Sequence, residues 1–524
     1  MIQPERDAFP RYADCVVVGE GTSGAVVAGR LAERSDRTVL LLEAGPDYGS
    51  FEAGAWPQPL LDPRTLPVFS HDWNYLSSAR YGKSEMRLER ARVLGGCSAH
   101  NGCIAMWGCR LDYDRWEHDG NPGWGTESLL PFFQLGTAQL CVRTPSPEEM
   151  TPWRQAILDA APSVGLPRVE DLNDLDQDVG AGITPVNIFN GVRWNTAFAY
   201  VDPVRSRSTL SIWGNMLVDR LIVQKGRVMA LDVIGPSGPA RVQTGQVVLC
   251  AGVYGSPALL LRSGIGTPEE LRTLGIAIVH ALPGVGKNLH DHPAIEVTYS
   301  GTSELIDAMQ AFAATGGWLY EEQTIGKARS ALCSAAFDLH LYPIGGPAQN
   351  HDDPWHFVLP VASMTPLSRG SLRLASRDPQ VPPLLDHGYL TDPDDHDVTV
   401  LLDGLDLVRT LASQPPLSKT IGKEMMPGPR LVDRKELRTY IRSNGVHYYH
   451  PVGTCKMGPA TDPLAVVDAR GQLHGIEGVV VADASLMPII PRANTTIPCV
   501  VIGEKIAALL LEVETERTDT WNLP

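Results

Sequence analysis

Cys15-Val-Val-Val18-Gly19-Glu20-Gly21-Thr22-Ser23-Gly24-Ala25 is a continuous apolar run that stops at a glycine and passes into a turn. Such a run reads as a parallel strand buried on both faces. Gly24–Glu33 then carries apolar residues at helical spacing, and Thr38–Glu43 is a second apolar strand. Strand, helix and strand make a βαβ unit, which places the chain in the α/β class. The glycines follow the pattern G-x-G-x-x-G: Gly19 for a tight turn, Gly21 for close approach of a pyrophosphate, Gly24 for contact between helix and strand. Thr22 and Ser23 stand at the helix start, where the dipole favours an anion. Glu43, followed by Ala44, ends the second strand nineteen residues beyond Gly24. A carboxylate there can take both hydroxyls of a ribose, so the fingerprint implies FAD or NAD and leaves the two open.

The rest of the chain is too long for one core. At 524 residues it exceeds the roughly 250–300 at which single cores stop growing. A net charge of −16 argues against a nucleic-acid surface and against docking on anionic lipid. No apolar stretch reaches the roughly 18–20 residues that span a bilayer, and the first residues show no signal peptide, so a cytoplasmic protein is expected. Nine cysteines are spread along the chain, and the close set Cys97, Cys103 and Cys109 has six-residue gaps that fit no common metal spacing. Free thiols in a reducing compartment follow.

Val247–Ala251 reads as another buried strand, followed by Gly252 and the helical stretch Ser256–Arg262. Gly478–Ala482 is a third strand of this type, and Thr496–Glu512 has helical spacing. Residues 211–243 alternate as an antiparallel meander, and residues 46–90 read as an extended loop over a surface. Residues 293–440 hold strands at Trp355–Val361 and Gly370–Leu374 and a helix at Asp395–Leu411. The expected architecture is a Rossmann-type dinucleotide domain built from residues 1–150, 195–297 and 448–524. Residues 151–194 and 298–447 form an inserted α+β substrate domain with an antiparallel sheet.

Further stretches narrow the function: Arg92-Val-Leu-Gly95-Gly96-Cys-Ser98-Ala-His100-Asn101-Gly102-Cys103, Arg193–Pro203, Gly252–Gly266, Pro283–Pro293 and His447-Tyr-Tyr-His450-Pro-Val-Gly-Thr-Cys455. In this order they resemble the glucose–methanol–choline oxidoreductase family of flavoproteins, over both termini and much of the middle. The resemblance implies FAD, and oxidation of an alcohol. It implies cofactor contacts at Gly95, Gly96, Ser98, His100, Asn101, Gly102 and Cys103, and at Ala251 and Gly252. Val218 would meet the adenine through its backbone, and Asp483, Ala484 and Thr495 complete the set. The run Gly95–Ala105 is similar to that of choline-oxidising members, which implies a covalent bond from His100 to the flavin 8α carbon.

Oxidising an alcohol needs a group to take the hydroxyl proton, and histidine suits this at neutral pH. By resemblance His450 is that base, and Asn494 is the partner that hydrogen-bonds the substrate oxygen. His447 is an edge group. His290 and His292 flank Asp291 in a turn read as structural, with no metal. Tyr448, Tyr449 and Cys333 would line the substrate pocket. Cys333 stands where choline-oxidising members are expected to carry a glutamate, with Glu321 and Glu322 near it in sequence, and Gly102 replaces a serine. These departures disfavour choline and favour a neutral primary alcohol, bulkier or aromatic. Electrons would pass to O2 or, in a dehydrogenase, to a quinone or other carrier. A flavin-containing hydroxynitrile lyase and a non-catalytic flavin binder are the other classes, and a homodimer is the assembly considered.

Overall fold

The structure, a computed structural model, describes residues 9–65, 70–78, 85–317, 323–347 and 355–521; Glu321 and Glu322 lie outside the described residues. The apolar runs become a five-stranded parallel sheet in the order Val479–Val481, Val247–Leu249, Cys15–Val18, Val39–Leu42 and Leu210–Trp213. Cys15 to Val17, Val247 to Leu249 and Val479 to Val481 have no exposed surface, as expected of strands covered on both faces. The helix Thr22–Arg34 and the last helix, Thr496–Trp521, pack together on this sheet. The two ends of the chain therefore meet beside the first glycine turn.

Leu210–Trp213 was expected in the meander and is instead the edge of the parallel sheet. Its alternating Leu-Ser-Ile-Trp pattern reflects an edge position, with Leu210 buried and Ser211 exposed. The meander proper is Leu217–Gln224, Arg227–Gly235 and Gly238–Gln243.

The second half of the molecule is an eight-stranded, antiparallel sheet. Its main path runs Ile421–Met426, Pro293–Gly301, Trp355–Ser363, Leu339–Leu341, Thr324–Ala328 and Gly180–Ile183, with Ile344–Pro347 and Val446–His447 attached. Alternation along these strands gives the sheet two faces. Ile295, Val297, Phe357 and Val361 pack with Trp153, Leu405 and Ile441 from the covering helices. Ala294 and Ala362 look the other way and pack with Cys103, Ile104, Met106, Tyr448 and Ala493. That second face is the roof of the site.

Three boundaries differ from the sequence reading. The strand Pro293–Gly301 starts before residue 298 and belongs to the roof sheet. Ser371–Arg373 pairs with Leu384–Asp386 in a separate hairpin, and Leu372 and Leu385 are buried in the parallel-sheet core. The segment between 46 and 90 is not a bare surface loop: Trp56 and Leu60 pack with Val93, Leu94 and Phe198 in a core of their own. Among the described residues no helix is long and apolar enough to cross a membrane. The nine cysteines are free thiols.

Candidate active site

A cavity of about 760 Å³ lies where the ends of the chain meet. Three helices begin on its wall, at Thr22, Gly252 and Thr496. The first has no side-chain cap, so its free N–H groups and positive dipole end face the cavity, where an anion such as pyrophosphate would be held. Gly24 packs the first helix onto its strand; a Cβ there would sit 2.0 Å from the Gly19 carbonyl oxygen. Gly252 has φ +79°, and a Cβ on it would meet nothing within 4 Å. The space in front of it is open for a ligand.

Glu43 is buried on this wall, and its two carboxylate oxygens accept from the Glu20 and Gly45 N–H groups at 3.0 and 2.7 Å. Burial pushes its carboxyl up to about 7. Glu20 itself, an unassigned position of the glycine pattern, accepts from the Gly95 N–H and ties the first glycine turn to the second. Asp483 ends the strand Val479–Val481 and accepts from Gly252 N–H at 2.8 Å and Ser256 Oγ at 2.5 Å. It thereby fixes the start of the second helix.

Gly19, Gly21, Thr22, Ser23, Ala44, Gly96, His100, Asn101, Gly102, Val218, Ala251, Ala484 and Thr495 also line the cavity, as do Tyr448, Tyr449, His450 and Asn494. Gly24, Gly95, Ser98 and Cys103 do not. Ser98 is fully buried behind the wall, donating to the Gly95 carbonyl at 2.6 Å and meeting Thr196 Oγ1 at 2.9 Å. Cys103 is buried beneath the roof, beside Arg193. Cys333 sits in the turn after Thr324–Ala328, half-buried and away from the cavity lining, with its Sγ on the Ala335 carbonyl. The sequence reading had put it in the substrate pocket; it is not among the residues that line this cavity.

The sequence reading missed the wall formed by Trp73, Tyr75, Glu89, Arg90 and Arg92. The Arg92 guanidinium lies 4.7 Å over the Trp73 ring, and Arg90 donates to the Tyr449 carbonyl at 2.9 Å. Tyr449 has φ +65°, a left-handed conformation that costs a bulky residue about 1–2 kcal/mol. His447 anchors the same rim on the Arg87 carbonyl at 3.0 Å.

His450 is buried, and its Nδ1 lies 3.0 Å from Nδ1 of His292. Burial, then the neighbouring His292, holds its pKa well below 6.5, so the ring is neutral at neutral pH. Asp291 fixes both backbones: one oxygen accepts from His450 N–H at 2.9 Å and His292 N–H at 2.7 Å, the other from Tyr389 OH at 2.8 Å. Burial pushes this carboxyl up to about 6 against the pull of its donors. Ligand atoms of Asp291, His292 and His450 all lie within 4.8 Å, but the carboxylate is committed to three donors and the two Nδ1 atoms stand at hydrogen-bond spacing. His292, read from sequence as structural, touches His450. His290 does not: its Nε2 accepts from Ile490 N–H at 3.0 Å, and its Nδ1–H donates to the Asn288 carbonyl at 2.6 Å.

Family profiles described as GMC oxidoreductase match residues 13–294 and 366–503. The chain belongs to the GMC oxidoreductase family. It is 33% identical over 538 aligned positions to oxygen-dependent choline dehydrogenase 1 of Chromohalobacter salexigens, covering 95% of this chain and 94% of that one. To choline oxidase of Arthrobacter globiformis it is 31% identical, covering 97% and 96%. Among solved structures, pyridoxine 4-oxidase from Mesorbium loti matches with a TM-score of 0.85 at 28% identity, covering 95% of this chain and 99% of that one. A fungal aryl-alcohol oxidase shares the fold, with a TM-score of 0.80 at 23% identity over 97% of this chain and 100% of that one. This GMC oxidoreductase is an FAD-dependent enzyme acting on an alcohol CH–OH group. The helix starts, the open face of Gly252 and the buried Glu43 fit that cofactor.

Proposed function

We propose that this enzyme oxidises a primary alcohol to the aldehyde, with the hydroxyl oxygen held between His450 and Asn494. The observation that carries this reading is that both side chains line the cavity opened by the glycine turns. FAD, when bound, supplies the acceptor for the hydride that leaves the carbinol carbon. His450 takes the hydroxyl proton, and its buried, neutral ring is ready to do so. The Asn494 amide donates to the oxygen and stabilises the developing alkoxide without competing for the proton.

The substrate end supports a neutral, bulky or aromatic alcohol. Tyr448 stacks on Tyr342 with centroids 4.0 Å apart and leans against His450 at 4.4 Å, which gives a flat apolar wall. Glu89 lies on the rim near His447, but Arg90 and Arg92 share that wall and would offset its pull on a quaternary ammonium. His100 is buried on the cavity wall with Nδ1 unpartnered among the described residues, which supports it as the point of covalent attachment of FAD. Free thiols support a reducing compartment. A panel of benzylic, aliphatic and quaternary-ammonium alcohols, read for peroxide and with an artificial dye, tests substrate and acceptor together. Bleaching of the flavin by none of them under anaerobic conditions would overturn the reading.

A further inference from the structure

We infer that Asp291 and Arg90 are positioning residues that clamp the peptide between Tyr449 and His450 and so aim the His450 ring into the cavity. The inference rests on the reading of His450 as base and concerns how the backbone presents it. Two segments pair antiparallel at Pro293 with His447 and again at His290 with Val452. Between these pairs one segment holds Asp291 and His292, and the other holds Tyr448, Tyr449, His450 and Pro451. The longer side must bow out of the ladder, as a bulge does. All four of its residues line the cavity, and neither residue of the shorter side does.

Local chemistry makes the bow and leaves one peptide to be held. Tyr449 takes φ +65°, which turns the chain out of line, and Pro451 has no N–H to return to the partner strand. Tyr448 N–H still donates to the His292 carbonyl at 3.1 Å, and Val452 N–H to the His290 carbonyl at 2.9 Å. His450 N–H, between them, donates instead to Asp291 Oδ1 at 2.9 Å, and the Tyr449 carbonyl accepts from Arg90 at 2.9 Å. That N–H and that carbonyl are the two ends of one planar peptide unit. A carboxylate on the N–H and a guanidinium on the carbonyl make charge-assisted bonds, and together they oppose rotation of the plane. Turning the plane would swing the Cα–Cβ bond of His450 and carry its ring away from the substrate oxygen. Asp291 is itself pinned: Oδ1 also accepts from His292 N–H at 2.7 Å, and Oδ2 accepts from Tyr389 OH at 2.8 Å. The Tyr389 ring stacks on His387, whose Nε2 meets the Tyr254 hydroxyl at 2.8 Å. Tyr254 belongs to the helix Gly252–Arg262, so the clamp is anchored in a helix that begins on the cavity wall.

Asp291→Asn keeps an oxygen for both N–H groups, and Asp291→Ala removes it. At saturating alcohol, anaerobic flavin reduction should fall at least about tenfold in Asp291→Ala and stay within about threefold in Asp291→Asn, with KM little changed in either. Arg90→Met should also lose about tenfold, and combining it with Asp291→Ala should cost less than the product of the two losses, because both hold one peptide. Equal losses in Asp291→Asn and Asp291→Ala, a raised KM at an unchanged rate, or losses that multiply would overturn the inference. If Asp291→Ala does not retain FAD, the holoenzyme labelled with 15N-histidine decides, with His450→Gln used to assign the signal. The His450 amide should resist exchange with deuterium and should shift in Asp291→Asn; rapid exchange, or a signal unmoved in that variant, overturns the clamp. Failure of the base reading is separate, since His450→Ala would then reduce its flavin at near the parent rate.

Discussion

Glu504, in the last helix, grips the Arg30 guanidinium of the first helix with both carboxylate oxygens, at 2.9 Å on Nε and 2.8 Å on Nη2. Both side chains are buried, and the Arg30 guanidinium also lies 5.1 Å over the Tyr200 ring. This pair joins the tail of the chain to its head beneath the cavity. Arg30 also pairs with Glu33 Oε2 at 2.9 Å, so the variant that strands a buried charge is Arg30→Met, which leaves Glu504 unpaired and should cost about 3–5 kcal/mol in chemical denaturation. The double substitution Arg30→Met, Glu504→Leu should recover most of that loss. A single variant as stable as the parent would show that the pair carries no such weight.

His450→Ala should lower the rate of anaerobic flavin reduction by about 10²–10⁴-fold, the span expected for loss of a general base. Asn494→Ala removes the donor proposed for the substrate oxygen and should cost about 10²–10³-fold. Both proteins should keep the visible spectrum of bound flavin. Near-normal reduction in either would remove that residue from the chemistry.

Acid should destabilise the fold through its histidines. Burial pushes His100 and His292 down to about 3 and His447 to about 4, and holds His290, His340, His387 and His450 well below 6.5. The unfolded chain takes up these protons near about pH 6.5, whereas the folded chain takes them up at lower pH. Stability is therefore lost as pH falls below about 6.5, continuing to about 4 for His447 and about 3 for His100 and His292. Each such histidine adds a slope of about 1.4 kcal/mol per pH unit. Urea midpoints across this window should drop steeply; a flat profile would contradict the burial of these rings.

Precipitation with acid should leave the yellow colour in the wild-type pellet and release it to the supernatant from His100→Ala. Full release from the wild-type protein would rule out attachment at His100.

Gly24→Ala and Gly252→Ala should fail differently. The first places a Cβ 2.0 Å from the Gly19 carbonyl, so the helix must leave its strand and the thermal midpoint should fall whether or not FAD is present. The second meets no protein atom within 4 Å and fills the ligand's space. It should bind FAD more weakly, while the apoprotein loses only about 1–2 kcal/mol for its left-handed backbone. Identical behaviour of the two would contradict this division.

The parallel sheet was legible because its central strands are apolar without interruption, as at Val16, Val248 and Val480. Leu210–Trp213 was not, because an edge strand alternates like an antiparallel one. The glycine turns and Glu43 could be placed by spacing, but spacing does not say which way a side chain looks, and Ser98 and Cys103 turned out to face protein. Trp73 and Arg90 lie in a stretch with no period, where position is set by distant contacts: Trp73 packs against the parallel-sheet core and Arg90 is held by the Tyr449 carbonyl. His292 looked like a turn residue because nothing nearby in sequence suggests its partner.

The hairpin at 371–386 returns to the parallel-sheet core after the chain has already entered the roof, and the helices from His396 onward go back again. The roof is thus stitched to the floor at successive points along the polypeptide and cannot swing as a door on one hinge. Nor can it be cut out and exchanged as a cassette: the cavity of this scaffold has to be reshaped side chain by side chain, starting with Tyr448 and Tyr449 on its lining.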